Sequence, residues 1–390
     1  MLQRMNLLLL SDVYFPRVNG VSTSIRTFAR SLARMGHAVT IVAPDYGVDD
    51  HEGDGEFEVI RLAARKIFFD PEDRLIRASA LSDALPLLAA RHWDAIHIHT
   101  PFRAHQLGVR LAKLIGRPTV ETYHTHFEEY VGLYIPWLPK SVLRWSARRI
   151  SRRLCHEVDH LIVPTPQMVE VLQGYGISTP YTVLPTGIDL NEFSGGSGIR
   201  FRRDHGLAQQ RPTIVTISRL AQEKNIEFLI ETARRLKPEF PELLFIIAGE
   251  GPDAKRLVKL VEARGLQQTV HFFGNLTRAD KLLDCYRAAD VFVFASPTET
   301  QGLVLIEAMA LGLPIVSTAV LGTAAVLEHA RGARISKQDP DSFAAHVAAL
   351  LRSPSEREVL SKASWLDARA WDADRWMGRV VKLYAELAAR

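Results

Sequence analysis

Residues 290–313 read DVFVFASPTETQGLVLIEAMALGL, a stretch that leaves this chain little choice of architecture. The β-branched and aromatic run Val291-Phe292-Val293-Phe294 predicts a buried strand, which Ser296 and Pro297 end. A polar turn follows, carrying Glu299 and closing at Gly302. From Leu303 apolar residues recur at helical density through Ile306, Met309 and Ala310, until Gly312-Leu313-Pro314 stops them. A strand, a tight turn and a helix present the backbone amides of Gly302, Leu303 and Val304 at a helix start, where free amides and the positive dipole end favour an anion. Glu299 lies in the turn and Glu307 about one turn inside the helix. Taken singly, each glutamate is as well explained by plain solvation. Together, flanking Gly302, they suit a ligand with phosphate on one part and vicinal hydroxyls on others, as a nucleotide sugar has.

The remainder of the chain repeats that strand–turn–helix rhythm. At 390 residues it is too long for one ordinary domain, so two are expected. With 47% hydrophobic and 24% charged residues it has the balance of a globular protein, and the net charge of +4 makes the clustering of basic residues more informative than their sum. Cys155 and Cys285 match no metal or redox spacing, which favours a reducing compartment. The Leu7–Leu10 run is too short for a signal core, and no stretch approaches the roughly 20 apolar residues that span a bilayer, so neither secretion nor membrane integration is expected.

In chain order, residues 5–11 predict a first strand and residues 22–35 a helix, capped by Ser22 or Thr23 and stopped by Gly36; residues 38–43 make the next strand. Asn19-Gly20, where the loop enters that helix, fits a plain turn or a backbone that approaches a phosphate closely. A strand at 95–99 ends in His97, His99 and Thr100, and one at 119–123 runs into His124-Thr125-His126. Both histidine groups fall at the carboxyl ends of strands, where ligands gather in open α/β sheets. Zinc or simple hydrogen bonding accounts for them, and the absence of Glu or Cys at helical spacing weighs against zinc.

Residues 137–155, WLPKSVLRWSARRISRRLC, predict a basic amphipathic helix with Leu143, Ala147, Ile150 and Leu154 as its apolar stripe. Lys140, Arg144, Arg148, Arg149, Arg152 and Arg153 surround the stripe, with Trp137 and the apolar residues Tyr130, Leu133, Tyr134 and Ile135 just before it. An anionic membrane surface is the favoured contact, against a merely solvated face. Nucleic acid is not expected, because no recognition module accompanies the patch. Farther on, Ser194-Gly195-Gly196-Ser197-Gly198 has the composition of a flexible linker or surface loop. Arg219 and Lys224 follow a strand at 212–217 in the loop entering a helix at 225–236, where two cations suit a diphosphate or are simply solvated. Gly249-Glu250-Gly251-Pro252-Asp253-Ala254 fits the letter of a dinucleotide fingerprint, but no acidic residue ends the next strand and Pro252 removes an amide; a packing turn is the preferred reading.

The string TETQGLVLIEAMALGLPIV, with Glu299 and Glu307 in an E-x7-E pattern, resembles the signature of retaining glycosyltransferases of glycosyltransferase family 4, and the resemblance extends along the chain through PTGIDLNEF (residues 185–193). It implies an α/β, GT-B fold: two Rossmann-like domains with parallel sheets facing across a cleft. Residues 1–188 would bind the acceptor, 189–370 the nucleotide sugar, and the helix of 371–390 would cross back to the first domain. In that family the pair matching Arg219 and Lys224 clamps the donor diphosphate in place of a metal, and the first loop, here at Gly20, faces the same diphosphate. Glu307 would hold the ribose; Glu299, Gln301 and the amides at Gly302, Leu303 and Val304 the sugar; the backbone around Asn275 the base. His124 matches the histidine beside the reacting sugar, with His126 the weaker match. His124, Glu299, Arg219 and Lys224 are thus the catalytic candidates. No metal and no cofactor are implied, the nucleotide sugar being a substrate.

The segment FPRVNGVSTSIRTFARSL, and Gln301 where many members carry Phe, resemble the branch of diacylglycerol glucosyltransferases and phosphatidylinositol mannosyltransferases. The branch implies transfer of a hexose from UDP-glucose or GDP-mannose to a membrane lipid such as diacylglycerol, by an enzyme peripheral on the cytoplasmic face of the cell membrane. A soluble acceptor, a cell-envelope glycan, nucleotide-sugar epimerisation and a catalytically silent binding module are the alternatives. The presence of Glu299, Glu307, Arg219, Lys224 and His124 together weighs against the last.

Overall fold

The uninterrupted leucines of β1 (Asn6–Leu10) are buried on both faces: Leu7 and Leu9 pack with Ile25, Phe28 and Leu32 of the helix Gly20–Arg34, while Leu8 and Leu10 pack with Leu107 and Leu111 of the helix Arg103–Ile115. A strand covered twice has no polar face to alternate with, which is why its sequence reads as one apolar run. The structure is a computed structural model and describes residues 4–47, 55–67, 73–124, 140–276 and 281–389. His126, Tyr130, Leu133, Tyr134, Ile135 and Trp137 lie outside the described residues.

The chain divides into two compact units, one taking the residues up to Gly187 and again from Ala373, the other Ile188–Asp372. In the first, β1 joins β2 (Ala38–Pro44), β3 (Glu58–Leu62), β6 (Ala95–Ile98), β7 (Thr119–Thr122), β8 (His160–Val163) and β9 (Tyr181–Val183) in a parallel sheet ordered β3-β2-β1-β6-β7-β8-β9. A short antiparallel pair, β4 (Ala64–Lys66) with β5 (Arg74–Ile76), stands beside it. The final helix, Ala373–Ala388, completes one face of this core with Met377, Val380, Val381 and Tyr384.

In the second unit β10 (Thr213–Ile217), β11 (Leu244–Ala248), β12 (Val270–Phe272), β13 (Val291–Phe294), β14 (Ile315–Ser317) and β15 (Ala333–Ile335) form a parallel sheet ordered β12-β11-β10-β13-β14-β15. Val291 and Val293 pack on one side with the helices Ile226–Leu236 and Pro340–Arg352; Phe292 and Phe294 pack on the other with Ile306 and Met309. Both units are Rossmann-like, the α/β class expected from the sequence.

Two local expectations are corrected. The first helix is capped by Asn19 instead of Ser22 or Thr23: the Ser22 amide donates to Asn19 Oδ1 (2.9 Å) and the Asn19 amide donates to Ser22 Oγ (2.9 Å), so the helix starts at Gly20. In the basic helix, Lys140–His156, Ile150 is exposed and the buried stripe is Leu143, Ala147, Ser151 and Cys155. That i, i+4 row was hidden by counting Ser and Cys as neither apolar nor buried. The glycine-rich stretch at 194–198 is a surface loop, one of the two readings its composition allows. Its Ser197 amide donates to Asp284 Oδ1 (2.5 Å), and Ser197 Oγ caps the next helix, Gly198–Asp204.

Candidate active site

In an open parallel sheet the loops diverge where the strand order reverses, leaving a crevice at the carboxyl ends. In the second unit that point lies between β10 and β13. The loop after β10 carries Arg219 and, in a short 3-10 turn, Glu223 and Lys224; the loop after β13 carries Glu299 to Gly302. Asn225 Nδ2 donates to the Ala295 carbonyl (3.2 Å) and Ser296 Oγ to the Glu223 carbonyl (3.2 Å), which ties the two loops together. Between them Lys224 Nζ meets Glu299 Oε1 at 2.5 Å, with 14% and 17% of the two side chains exposed. Arg219 stands 3.8 Å from Glu223. Sequence candidates 75 residues apart are therefore one charged cluster.

Gly302 adopts φ 90°, which an L side chain avoids, and from that turn the helix Leu303–Ala310 begins. The first amides of a helix have no intrahelical acceptor, so Leu303 and Val304 present donors beside the Lys224–Glu299 pair's loop. Gln301 is buried. Glu307, on the same helix, is buried too and accepts a hydrogen bond from Tyr286 Oη at 2.9 Å. Tyr286 was not foreseen, since it comes from the separate short helix Leu283–Arg287 and no local pattern links it to Glu307. Asn275 is exposed and its Nδ2 donates to Glu250 Oε2 (3.2 Å). Gly249 is a packing residue: a Cβ there would stand 1.9 Å from the Ser218 carbonyl oxygen, as the loops after β10 and β11 run against each other.

In the first unit the order reverses between β1 and β6. Asp12, just past β1, spans that point: it accepts from Thr100 Oγ1 (2.7 Å) and from the amides of Arg103 (3.0 Å) and Ala104 (3.2 Å). Burial pushes its carboxyl up to about 6, against the opposing pull of these hydrogen bonds. Asp12 was another omission, although its place after a strand was a signal. Gly20 is the first residue of its helix and is exposed. His124 follows β7 half-buried, its Nε2 3.1 Å from His99 Nδ1, and burial presses its imidazole down to about 4. His97 meets Tyr384 Oη through Nδ1 (2.6 Å) and Thr122 Oγ1 through Nε2 (2.7 Å). These histidines are hydrogen-bonded to their neighbours, and among the described residues no group of three or more His, Cys, Asp or Glu side chains is arranged to hold a metal ion.

On the basic helix Arg144, Arg148, Arg149, Arg152 and Arg153 are exposed. Trp145 is 63% exposed with the Arg149 guanidinium 5.7 Å from its ring, and Val142 and Ile150 of the same helix are exposed as well. An indole and two branched aliphatic side chains among arginines make an amphipathic outer face that the buried stripe does not account for. Among the described residues no helix is long and apolar enough to cross a membrane.

Two family models match the chain: Glycosyltransferase Family 4 over residues 18–192 and Glycosyl transferases group 1 over residues 199–365. The chain is similar to an alpha-monoglucosyldiacylglycerol synthase of Streptococcus pneumoniae, 32% identical over 317 residues that cover 79% of this chain and 70% of that protein. A protein of the same name from Acholeplasma laidlawii is 30% identical over 322 residues, 78% of each. Among solved structures, Anabaena HepE in complex with UDP and glucose superposes with a TM-score of 0.80 at 17% identity, covering 98% of this chain and all of that one.

Proposed function

The chain belongs to glycosyltransferase family 4 and is a glycosyltransferase of GT-B fold, and from that premise we propose that it is a retaining, metal-independent hexosyltransferase acting on a membrane lipid such as diacylglycerol. The observation that carries this reading is the meeting of Lys224 and Glu299 at the crevice where β10 and β13 part. Arg219 and Lys224 hold the donor's diphosphate, Glu299, Gln301 and the amides at Gly302, Leu303 and Val304 hold the sugar, and Glu307 holds the ribose. Asn275 lies where the base rests. In the first unit, Gly20 is assigned to the diphosphate and His124 to the sugar. As the glycosidic bond breaks, negative charge builds on the leaving phosphate and positive charge on the sugar. Fixed cations at the phosphate lower that barrier without reorganising, which is the work a metal does elsewhere.

The activity named for the relatives supports a diacylglycerol-type acceptor, and the UDP and glucose bound by the Anabaena protein support a UDP-sugar donor, with GDP-mannose the other donor to test. The outer face of the basic helix supports a peripheral site at an anionic, cytoplasmic membrane surface: Trp145 at the headgroup level and the arginines against lipid phosphates. The test is nucleotide release from UDP-glucose and GDP-mannose, with and without liposomes of diacylglycerol and anionic lipid, and with EDTA. Release that rises with liposomes and ignores EDTA is expected. Release indifferent to lipid points to a soluble acceptor, and loss in EDTA overturns the assignment of Arg219 and Lys224.

A further inference from the structure

We propose that His99 is a positioning residue that fixes the tautomer of His124, so that His124 carries its proton on Nδ1 and acts as a hydrogen-bond donor. The proposal rests on the reading of His124 as the group beside the sugar. It starts from how tightly His99 is held. Its amide donates to the Leu10 carbonyl (2.9 Å), which anchors the backbone where β6 ends against β1. Only 1% of the residue is exposed. Its ring is enclosed by Phe28 edge-on at 5.4 Å, His97 at 4.0 Å and His124 in near-parallel stacking at 5.4 Å. His97 is itself held at both nitrogens by Tyr384 and Thr122. The plane of the His99 ring is therefore fixed, and its Nδ1 faces His124 Nε2 at 3.1 Å.

A bond between two imidazole nitrogens contains one proton, so one ring donates and the other accepts. If His99 accepted, its own proton would sit on Nε2, a buried position with no hydrogen-bond partner among the described residues. An orphaned buried N–H is rarer and costlier than an unpaired lone pair. His99 therefore carries its proton on Nδ1 and donates it. His124 Nε2 accepts, and the proton of His124 is left on Nδ1. Burial keeps His99 well below the usual imidazole range and so removes the doubly protonated alternative near neutral pH. His124 is then a donor of fixed sense, and burial, which presses its imidazole down to about 4, keeps it neutral near neutral pH. Tyr384, on the last helix, is the outermost support of this arrangement.

Long-range 1H–15N spectra of the full-length protein labelled at histidine test this without substrate, with the His124 signals identified by their loss in His124→Gln. Protonated Nδ1 and unprotonated Nε2 at His124 are expected; the reverse pattern overturns the proposal. In kinetics, His99→Leu removes the donor, and kcat for donor turnover should fall roughly 10- to 100-fold while donor KM stays within about 2-fold. His99→Asn, whose amide can donate from nearly the position of Nδ1, should restore most of the loss. A folded His99→Leu with unchanged kcat overturns the proposal. If His99→Leu does not fold, the wild-type spectrum decides alone. A wild-type protein with the expected spectrum but no turnover of any nucleotide sugar refutes the proposed function and leaves the tautomer assignment standing.

Discussion

The Lys224–Glu299 pair joins one residue assigned to the diphosphate with one assigned to the sugar, and Glu299→Gln separates the two roles. The substitution keeps the shape and deletes the charge. At 2.5 Å the Coulomb attraction is roughly 7 kcal/mol at an effective dielectric near 20 and about 2 kcal/mol in water-like surroundings. Some exposure remains on both side chains and desolvation opposes the pair, so the net loss should lie near the lower figure, about 2–3 kcal/mol. For a unit of this size that is a fall in Tm on the order of 5 °C. Nucleotide binding should move the other way. In the wild-type protein an incoming diphosphate competes with Glu299 for Lys224; in Glu299→Gln it meets an uncompensated ammonium. Calorimetric titration with UDP or GDP should therefore show affinity at least equal to wild type and up to about 10-fold tighter, while transfer collapses. Lys224→Ala should weaken nucleotide binding. Nucleotide affinity that falls in Glu299→Gln and is unmoved in Lys224→Ala would refute this division of roles.

Three further outcomes are expected. Tyr286→Phe removes the hydroxyl that donates to buried Glu307 and should cost about 1.5–3 kcal/mol in stability by chemical denaturation, with donor KM raised more than kcat is lowered. Asp12 has its carboxyl raised to about 6 in the folded protein, so it is the protonated form that folding favours; its destabilising contribution grows as pH rises from about 4 and is complete above about 6. Measured against Asp12→Asn, wild-type stability should therefore fall by up to about 3 kcal/mol between pH 4 and 7, and a flat difference would refute it. Trp145→Ala combined with Arg149→Glu and Arg153→Glu should abolish cosedimentation with anionic liposomes and spare donor hydrolysis; retained cosedimentation would remove the membrane role from this helix.

The parallel sheets were legible in the sequence because strands covered on both faces need unbroken β-branched and apolar runs, and 7–10 and 291–294 are such runs. What failed did so where tertiary contacts decide. Ser22 outranked Asn19 as a cap only until both were seen to act together. Ser151 and Cys155 lie under the basic helix in a row that a purely hydrophobic count passes over, which left Ile150 misplaced. Gly195, Gly196 and Gly198 leave linker and surface loop both open in the sequence, and only the fold shows Asp284, far along the chain, holding the Ser197 amide. At the candidate site the motif residues stand out because charge and glycine are conspicuous in a sequence. Tyr286, Asp12, His99 and Trp145 were passed over as to role because each acts through a partner, or a surface, that only the folded chain supplies.

Both sheets solve one problem at the point where strand order reverses: two loops diverge there, and a binding site needs them fixed. The solutions differ in a way that matters chemically. In the first unit the link is a buried carboxylate, Asp12, reaching from the loop after β1 to Thr100 and the amides of Arg103 and Ala104 after β6. Burial pushes the carboxyl up, and its hydrogen-bond partners, all neutral donors, only partly oppose that. In the second unit the link is an ion pair with backbone hydrogen bonds around it, and its local charge is balanced. A dianionic diphosphate is repelled by the first arrangement and can exchange into the second, since its oxygens replace the Glu299 carboxylate at Lys224. The asymmetry is a physical argument, independent of any motif, for the proposed placement of the charged diphosphate contacts at Arg219 and Lys224, in the crevice between β10 and β13.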